Sequence, residues 1–342
     1  MNYNPSLDGL RALAAALVLL FHAKTPGAQA GFLGVDLFFV LSGYLITRSL
    51  SALPSISKRS YLEFVQRRLA RLYPAILLLL ALVAPATILL TSESALNIFT
   101  ATLFTLTYTM DHGATLEITS KYLKHAWSLA VEMKFYLTFP ALIYIVRKTT
   151  STNAAKILIT LFVIATLWRY QQSYRADDFW SVYYRFDTHC SGLLLGAALA
   201  FAPTGHQRLI SYIGGIGLAL TLYACSWRDP VSITLGITAA EIFSACLIHS
   251  PPRLLGGRST AYLGRISYGF YLWHYPFIWG ARDLELPHLA TLGVATLGGL
   301  FFAILSYHSV EKPRRIRNSA TSMLEKTSRK TGYSNPEKSR QN

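Results

Sequence analysis

The chain has 342 residues, of which 52% are hydrophobic and only 14% charged, with 32 lysines and arginines against 17 acids. A soluble chain carries about a quarter charged residues, so composition excludes an ordinary soluble enzyme. The basic excess lies between apolar runs and in residues 312–342, where the positive-inside bias puts it, which argues against a nucleic-acid partner.

Apolar runs fall at 6–24, 32–47, 73–92, 95–110, 125–146, 154–168, 189–202, 209–225, 231–248, 261–279 and 287–309, each near the length that spans a hydrocarbon core when tilt is allowed. No basic leader or small-residue cleavage site precedes the first run, so it is expected to be retained, with Met1 as the mature end. Arg48, Lys58, Arg59, Arg67, Arg68 and Arg71 follow the second run, and Lys312, Arg314, Arg315 and Arg317 follow the last. Both chain ends are therefore expected in the cytoplasm. That requires an even number of crossings, and the mismatch is confined to 73–110, where the Thr-rich "IFTATLFTLTYTM" reads as re-entrant. The prediction is an all-α polytopic bundle of about ten transmembrane helices over 1–314, followed by a basic, disordered tail at 315–342 that can touch anionic lipid. No internal repeat is visible. Cys190, Cys225 and Cys246 have no C-x-x-C or metal-ligand spacing, so neither a disulfide framework nor a metal site is expected.

Ionisable residues inside these runs are costly and need a partner, a route to the interface or a function. In "LRALAAALVLLFHA", Arg11 and His22 are eleven residues apart, which puts them on one helical face about 16 Å apart in depth. Arg11 could snorkel to headgroups, and His22 could be an interfacial histidine. Asp36, opening the second run at a depth comparable to His22, is placed to orient that histidine as a general base, or to sit solvated at the helix start. Glu132 in "HAWSLAVEMKFYLTFP" is expected to face the interior, since i,i+2 residues such as Glu132 and Lys134 do not face each other on a helix. Trp127, in the same stretch, joins Arg185, Asp187 and His189 of "YYRFDTHCSGLLLG" and His274 of "SYGFYLWHYPF" as polar or amphipathic groups toward the outer side. On the inner side Arg68 and Arg71 of "RRLARLYP" share a helical face and can grip a phosphate, or simply anchor the chain. No Gly-rich phosphate loop, G-x-S-x-G or H-E-x-x-H occurs.

Together, "LDGLRALAAALVLLFHA", "GFLGVDLFFVLSGYLIT", "RRLARLYP", "HAWSLAVEMKFYLTFP", "GRISYGFYLWHYPF" and "SYHSVEKP", in this order from residue 6 to about 314, resemble the membrane acyltransferase-3 family. The resemblance is to the form without a fused extracytoplasmic hydrolase-like domain. It implies an O-acyltransferase of the bacterial cytoplasmic (inner) membrane that passes an acyl group, most commonly acetyl, from cytoplasmic acyl-CoA to a sugar hydroxyl. The acceptor would be a cell-surface polysaccharide, lipopolysaccharide or related glycan or glycolipid. No tightly bound cofactor is expected, acyl-CoA being the donor substrate. His22 would be catalytic, with Asp36 and Glu132 orienting base or acceptor. Arg11, Arg68 and Arg71 would hold the donor, and Trp127, Arg185, Asp187, His189 and His274 would line the acceptor end. Direct transfer and an acyl-histidine intermediate both fit. Met133 and Lys134 stand where the family commonly has Glu-Gln, and His189 and Ser191 where it commonly has Arg and Asp, so acceptor or acyl preference is expected to differ. A permease or flippase for a polar lipid or sugar is the alternative, and a structural membrane subunit a third reading.

Overall fold

The computed structural model describes residues 3–53, 55–203 and 207–311; the tail at 315–342 lies outside the described residues. Among the described residues there are helices and turns and no strand. In chain order they are α1 (Pro5–His22), α2 (Gly34–Ser51), α3 (Lys58–Leu90), α4 (Ala95–Leu106), α5 (Met110–Thr115), α6 (Trp127–Val146) and α7 (Ser151–Arg175). Then come α8 (Phe179–Tyr184), α9 (Phe186–His189), α10 (Ser191–Leu199), α11 (Arg208–Ala224), α12 (Ile237–His249), α13 (Arg258–Asp283) and α14 (His288–Ser306).

Local chemistry starts several of these. The Asn4 side chain accepts the Ser6 N–H at 3.0 Å with Pro5 opening α1, and Ser57 and Ser60 form a reciprocal capping box at the start of α3. Both devices satisfy backbone donors that a helix start otherwise leaves unpaired.

Seven helical segments are long and apolar enough to cross a membrane, by length and composition. The Thr-rich segment is two short pieces instead: α4 has 12 residues, and the chain breaks at Tyr108, whose φ of 53° is left-handed, before α5. At 1.5 Å per residue α4 is about 18 Å long, well short of a hydrocarbon core of about 30 Å. By contrast α3, at 33 residues, extends well beyond its apolar half and carries Arg67, Arg68 and Arg71 on the part that precedes it.

Large apolar side chains face outward, and several charged ones lie inside an otherwise apolar core. Leu89, Leu90 and Leu297 are 73–82% exposed, whereas Arg169, Glu241, Asp36 and His189 are fully buried. Apolar side chains outside and charges inside suit a hydrocarbon solvent. Small residues allow the helices to approach closely. On α2 and α10 the fit is reciprocal: a Cβ on Gly196 would fall 1.9 Å from the Val40 carbonyl oxygen, and one on Gly43 would fall 2.0 Å from that of Leu193. Helices α1 and α13 meet in the same way, with Gly264 against the Asp8 backbone. These two contacts bring the face carrying Arg11 and His22 against α13, and the face carrying Asp36 against α10.

Candidate active site

The polar interior is organised around two adjoining cavities. The first, of about 100 Å³, is lined by Arg11 of α1, Ser42 of α2, Arg68 and Arg71 of α3, Glu132 and Tyr136 of α6, and Tyr271 of α13, among others. Arg68 and Arg71 thus share a face, as their spacing predicts. The Arg68 guanidinium lies 5.2 Å from the Phe64 ring centroid and 5.7 Å from that of Tyr136, within cation–π range of both rings. Arg11 is tied to Asp8 at 2.9 Å, and Ser42 Oγ lies 2.9 Å from Tyr136 Oη. The Nε of Arg71 is buried without a hydrogen-bond partner. Three guanidiniums and one carboxylate leave this cavity positive, the charge balance of a site for a phosphate-bearing ligand.

Val35 and Tyr271 also line the second cavity, of about 50 Å³, together with His22, His125, Trp127, Tyr183 and Tyr275. Tyr271 is held in place by its own hydroxyl, which donates to the His125 carbonyl oxygen at 2.8 Å and lies 2.6 Å from Ser128 Oγ. Beyond His22 and Tyr275, which line both, a wider vestibule of about 460 Å³ opens among Lys24, Gln29, Trp227, Arg228, Trp279 and Arg282.

His22, at the last position of α1, has its Nδ1 2.9 Å from His274 Nε2. The other nitrogen of His274 lies 3.2 Å from the Phe270 carbonyl oxygen. A carbonyl only accepts, so His274 Nδ1 carries the proton, and in the neutral ring its Nε2 is then an acceptor. His22 Nδ1 is therefore the donor of the pair, and His22 Nε2 is left with its lone pair. Among the described residues no carboxylate bonds His22, His125 or His274, so nothing in the site compensates an imidazolium. Arg282 Nη2 donates to the His22 backbone carbonyl and fixes the end of α1. The geometry is that of an oriented base or nucleophile whose orienting group is another imidazole.

Several sequence expectations are corrected. Asp36 does not orient His22. Its Oδ1 lies 2.8 Å from His189 Nε2, while His189 Nδ1 donates to the Tyr183 carbonyl oxygen at 2.6 Å, and both residues are fully buried. The close α2–α10 contact brings Asp36 against His189, at the end of α9 where the chain leads into α10, rather than against His22 of α1. His189 accordingly stands behind the cavity wall, packed on Trp127 and Tyr183 with ring centroids 5.2 and 4.6 Å away, and lines none of the three cavities. Arg185 and Asp187 pair with each other at 2.5 Å, away from the cavities, and Asp187 also accepts from Trp168 Nε1 at 2.8 Å. Partial burial acts to raise the Asp187 pKa, and the bonds from Arg185 and Trp168 outweigh it, holding the carboxyl below the usual carboxylate range. In the loop before α6, burial and the hydrogen bond to Asp283 push the Tyr122 phenol up. Glu132 lies among the arginines rather than at the His22 end, whereas Trp127 and His274 do stand beside His22. Lys134 does not neutralise Glu132; it pairs with Asp111 and approaches His112 Nε2 at 2.9 Å.

Sequence reasoning also missed two features. His125 occupies a 3-10 turn just before α6 and was visible only as the first letter of "HAWSL". The second is a buried cluster of Arg169, Glu241 and Ser191, in which Arg169 Nη1 donates to Ser191 Oγ at 2.6 Å and Ser191 Oγ to Glu241 Oε1 at 2.5 Å.

Fold and site together define a polytopic helical membrane protein with a cationic cavity and a histidine cavity set wall to wall. The chain belongs to the acyltransferase family: the family model described as an acyltransferase domain matches residues 4–308. It is 31% identical over 347 residues to the O-acetyltransferase OatA of Staphylococcus aureus (strain NCTC 8325 / PS 47), covering 92% of this chain and 57% of that protein. Peptidoglycan O-acetyltransferase OatA of Listeria monocytogenes serovar 1/2a is 30% identical, and the putative peptidoglycan O-acetyltransferase YrhL of Bacillus subtilis (strain 168) 32% identical. In both cases 92% of this chain is covered, against 56% and 55% of the relatives. The chain thus spans a little over half the length of these curated relatives. No solved structure matches it.

Proposed function

We propose that the chain is a multi-pass O-acetyltransferase of a bacterial cytoplasmic membrane, moving an acetyl group from acyl-CoA to a sugar hydroxyl of a cell-surface glycan of the peptidoglycan type. The observation that carries this reading is the pair of shared walls, Val35 and Tyr271, between the arginine cavity and the His22 cavity. The arginines take the phosphates of the donor from the cytoplasmic side. The cavities, at about 100 and 50 Å³, suit an extended thioester arm and not a nucleotide. At the far end His22 Nε2 takes the proton of the acceptor hydroxyl as its oxygen attacks the thioester carbonyl. The new C–O bond forms, the C–S bond breaks, and the proton is returned to the leaving thiolate. Family membership, the O-acetyltransferase activity of the named relatives and the tautomer chain through His274 all support this assignment.

The test is purified protein in detergent with labelled acetyl-CoA and soluble glycan strands. Ester on the glycan with equivalent release of CoA thiol is expected, and His22→Ala abolishes both while leaving the amount of folded protein unchanged. Glycan movement across vesicles without thiol release would overturn the proposal in favour of a permease.

A further inference from the structure

The vestibule beyond His22 has a charge composition that a site for neutral sugar does not need. Lys24, Arg228 and Arg282 line it, and no Asp or Glu does. None of the three is in an ion pair among the described residues. Two of these cations have an acid as their immediate chain neighbour, and in both cases the acid is engaged elsewhere. Asp229, next to Arg228, accepts the Val231 N–H at 2.9 Å, and Asp283, next to Arg282, is held by Lys121 at 2.6 Å and Tyr122 at 2.5 Å. The two guanidiniums lie over indoles, Arg228 at 4.9 Å from the Trp227 ring centroid and Arg282 at 5.1 Å from that of Trp279. Both tryptophans line the same vestibule. Lys24, two positions after His22, joins the lining from a left-handed backbone conformation of its own, φ 56°.

Indole faces suit the apolar face of a sugar ring, and forked guanidiniums suit the planar oxygens of a carboxylate or the oxygens of a phosphate. Hydroxyls of a neutral glycan are commonly recognised by acceptors, and the one side-chain amide of the vestibule, Gln29, has its Oε1 taken by Ser226 Oγ at 2.9 Å.

We propose that the vestibule is an anion-reading acceptor subsite, in which Lys24, Arg228 and Arg282 select a glycan bearing a carboxylate or phosphate beside the hydroxyl presented to His22. This rests on the acyl-transfer reading for its purpose, but binding tests it independently. Arg282 also fixes the His22 backbone, so the variants are made at the other two cations.

The experiment measures equilibrium binding to the full chain in detergent by quenching of tryptophan fluorescence. The probes are peptide-free glycan strands whose lactyl ethers end in carboxylates, the same strands with those carboxylates reduced to alcohols, and an oligosaccharide phosphate with its dephosphorylated form. At least one anionic probe is expected to bind about tenfold tighter than its neutral counterpart, as charge-assisted hydrogen bonds predict, with the gap narrowing as salt is raised. Arg228→Gln and Lys24→Gln should each shrink that gap, and Arg228→Lys should restore part of it. Which probe shows the gap tells carboxylate from phosphate. Equal binding of both pairs overturns the proposal even if ester is formed; an anionic preference without ester formation upholds it and overturns the acyl-transfer reading instead.

Discussion

His22 Nδ1 and His274 Nε2 lie 2.9 Å apart, and the chain of donors from His22 through His274 ends on the Phe270 carbonyl oxygen. An imidazole takes here the part that a carboxylate plays in the more familiar acid–base arrangements, and it does so without adding a buried charge. The two rings belong to α1 and α13, the helices joined by the Gly264–Asp8 contact, so the tautomer of His22 depends on how closely those helices approach.

His274→Phe keeps the ring volume but removes the acceptor, and the His22 proton is then free to sit on either nitrogen. The expected result is a fall in kcat of about 10²-fold, in the range set by loss of a positioned acid–base group, with the KM for both substrates within about twofold. His274→Gln, which offers an acceptor oxygen to His22, should recover part of the loss. Steady-state kinetics of acetyl transfer separates these outcomes, and a wild-type kcat in His274→Phe would remove His274 from the mechanism.

Arg68→Lys preserves the charge in the first cavity but not the planar group set beside Phe64 and Tyr136. The KM for acetyl-CoA should rise about five- to tenfold, as expected for loss of a forked contact to an anion, while the KM for glycan stays unchanged. Arg71→Ala should act in the same direction. A change confined to the glycan KM would place these arginines at the wrong end of the molecule.

Asp36→Asn breaks a fully buried pair and leaves His189 Nε2 facing an amide. Removing one partner of such a pair costs roughly 3–5 kcal/mol, so the variant should unfold at lower temperature in detergent. Its specific activity, corrected for the folded fraction, should stay within about threefold of wild type, because Asp36 bonds His189 and not His22. A folded but inactive Asp36→Asn protein would restore the carboxylate to the catalytic step.

Asp187, on the short helix α9, is a pH-dependent element of the structure. Its folded pKa is lowered, so the stability from its bonds to Arg185 and Trp168 is present above the usual carboxylate pKa, near 4, and is lost as pH falls through the lower folded value. Since Asp187 is 44% exposed, the effect is local. Hydrogen exchange over residues 176–189 should quicken below about pH 4, and Asp187→Asn should show the quickened rate at neutral pH with no further dependence.

The features legible in the sequence are those set by a single helix. The 3.6-residue period places Arg11 with His22, and Arg68 with Arg71, and the cost of charges in lipid marks Glu132 as an interior group and His274 as a polar group toward the outer side. What was not legible depends on which helices touch. Asp36 and His22 stand at similar depth, and nothing along the chain says that Gly43 and Gly196, more than 150 residues apart, draw α2 onto α10 and give Asp36 to His189. Arg169 follows the apolar run 154–168 directly and so reads as a flanking cation. In the fold α7 continues to Arg175, and Arg169 is fully buried against Ser191 and Glu241. The length of α4 could not be read from its apolar composition either, because the break at Tyr108 is a backbone conformation and not a change in residue type.

Tyr271 stands with Val35 where the arginine cavity and the histidine cavity adjoin, and its ring is pinned at its hydroxyl by His125 and Ser128. A passage that lets an acyl arm reach across a membrane is also a potential leak for protons and ions, and a leak would discharge the cell. In the proposed transfer, an aromatic wall between two spaces this small would open only as far as the thioester arm itself pushes the ring aside, so the donor would serve as the stopper while it reacts and the membrane would keep its voltage between turnovers.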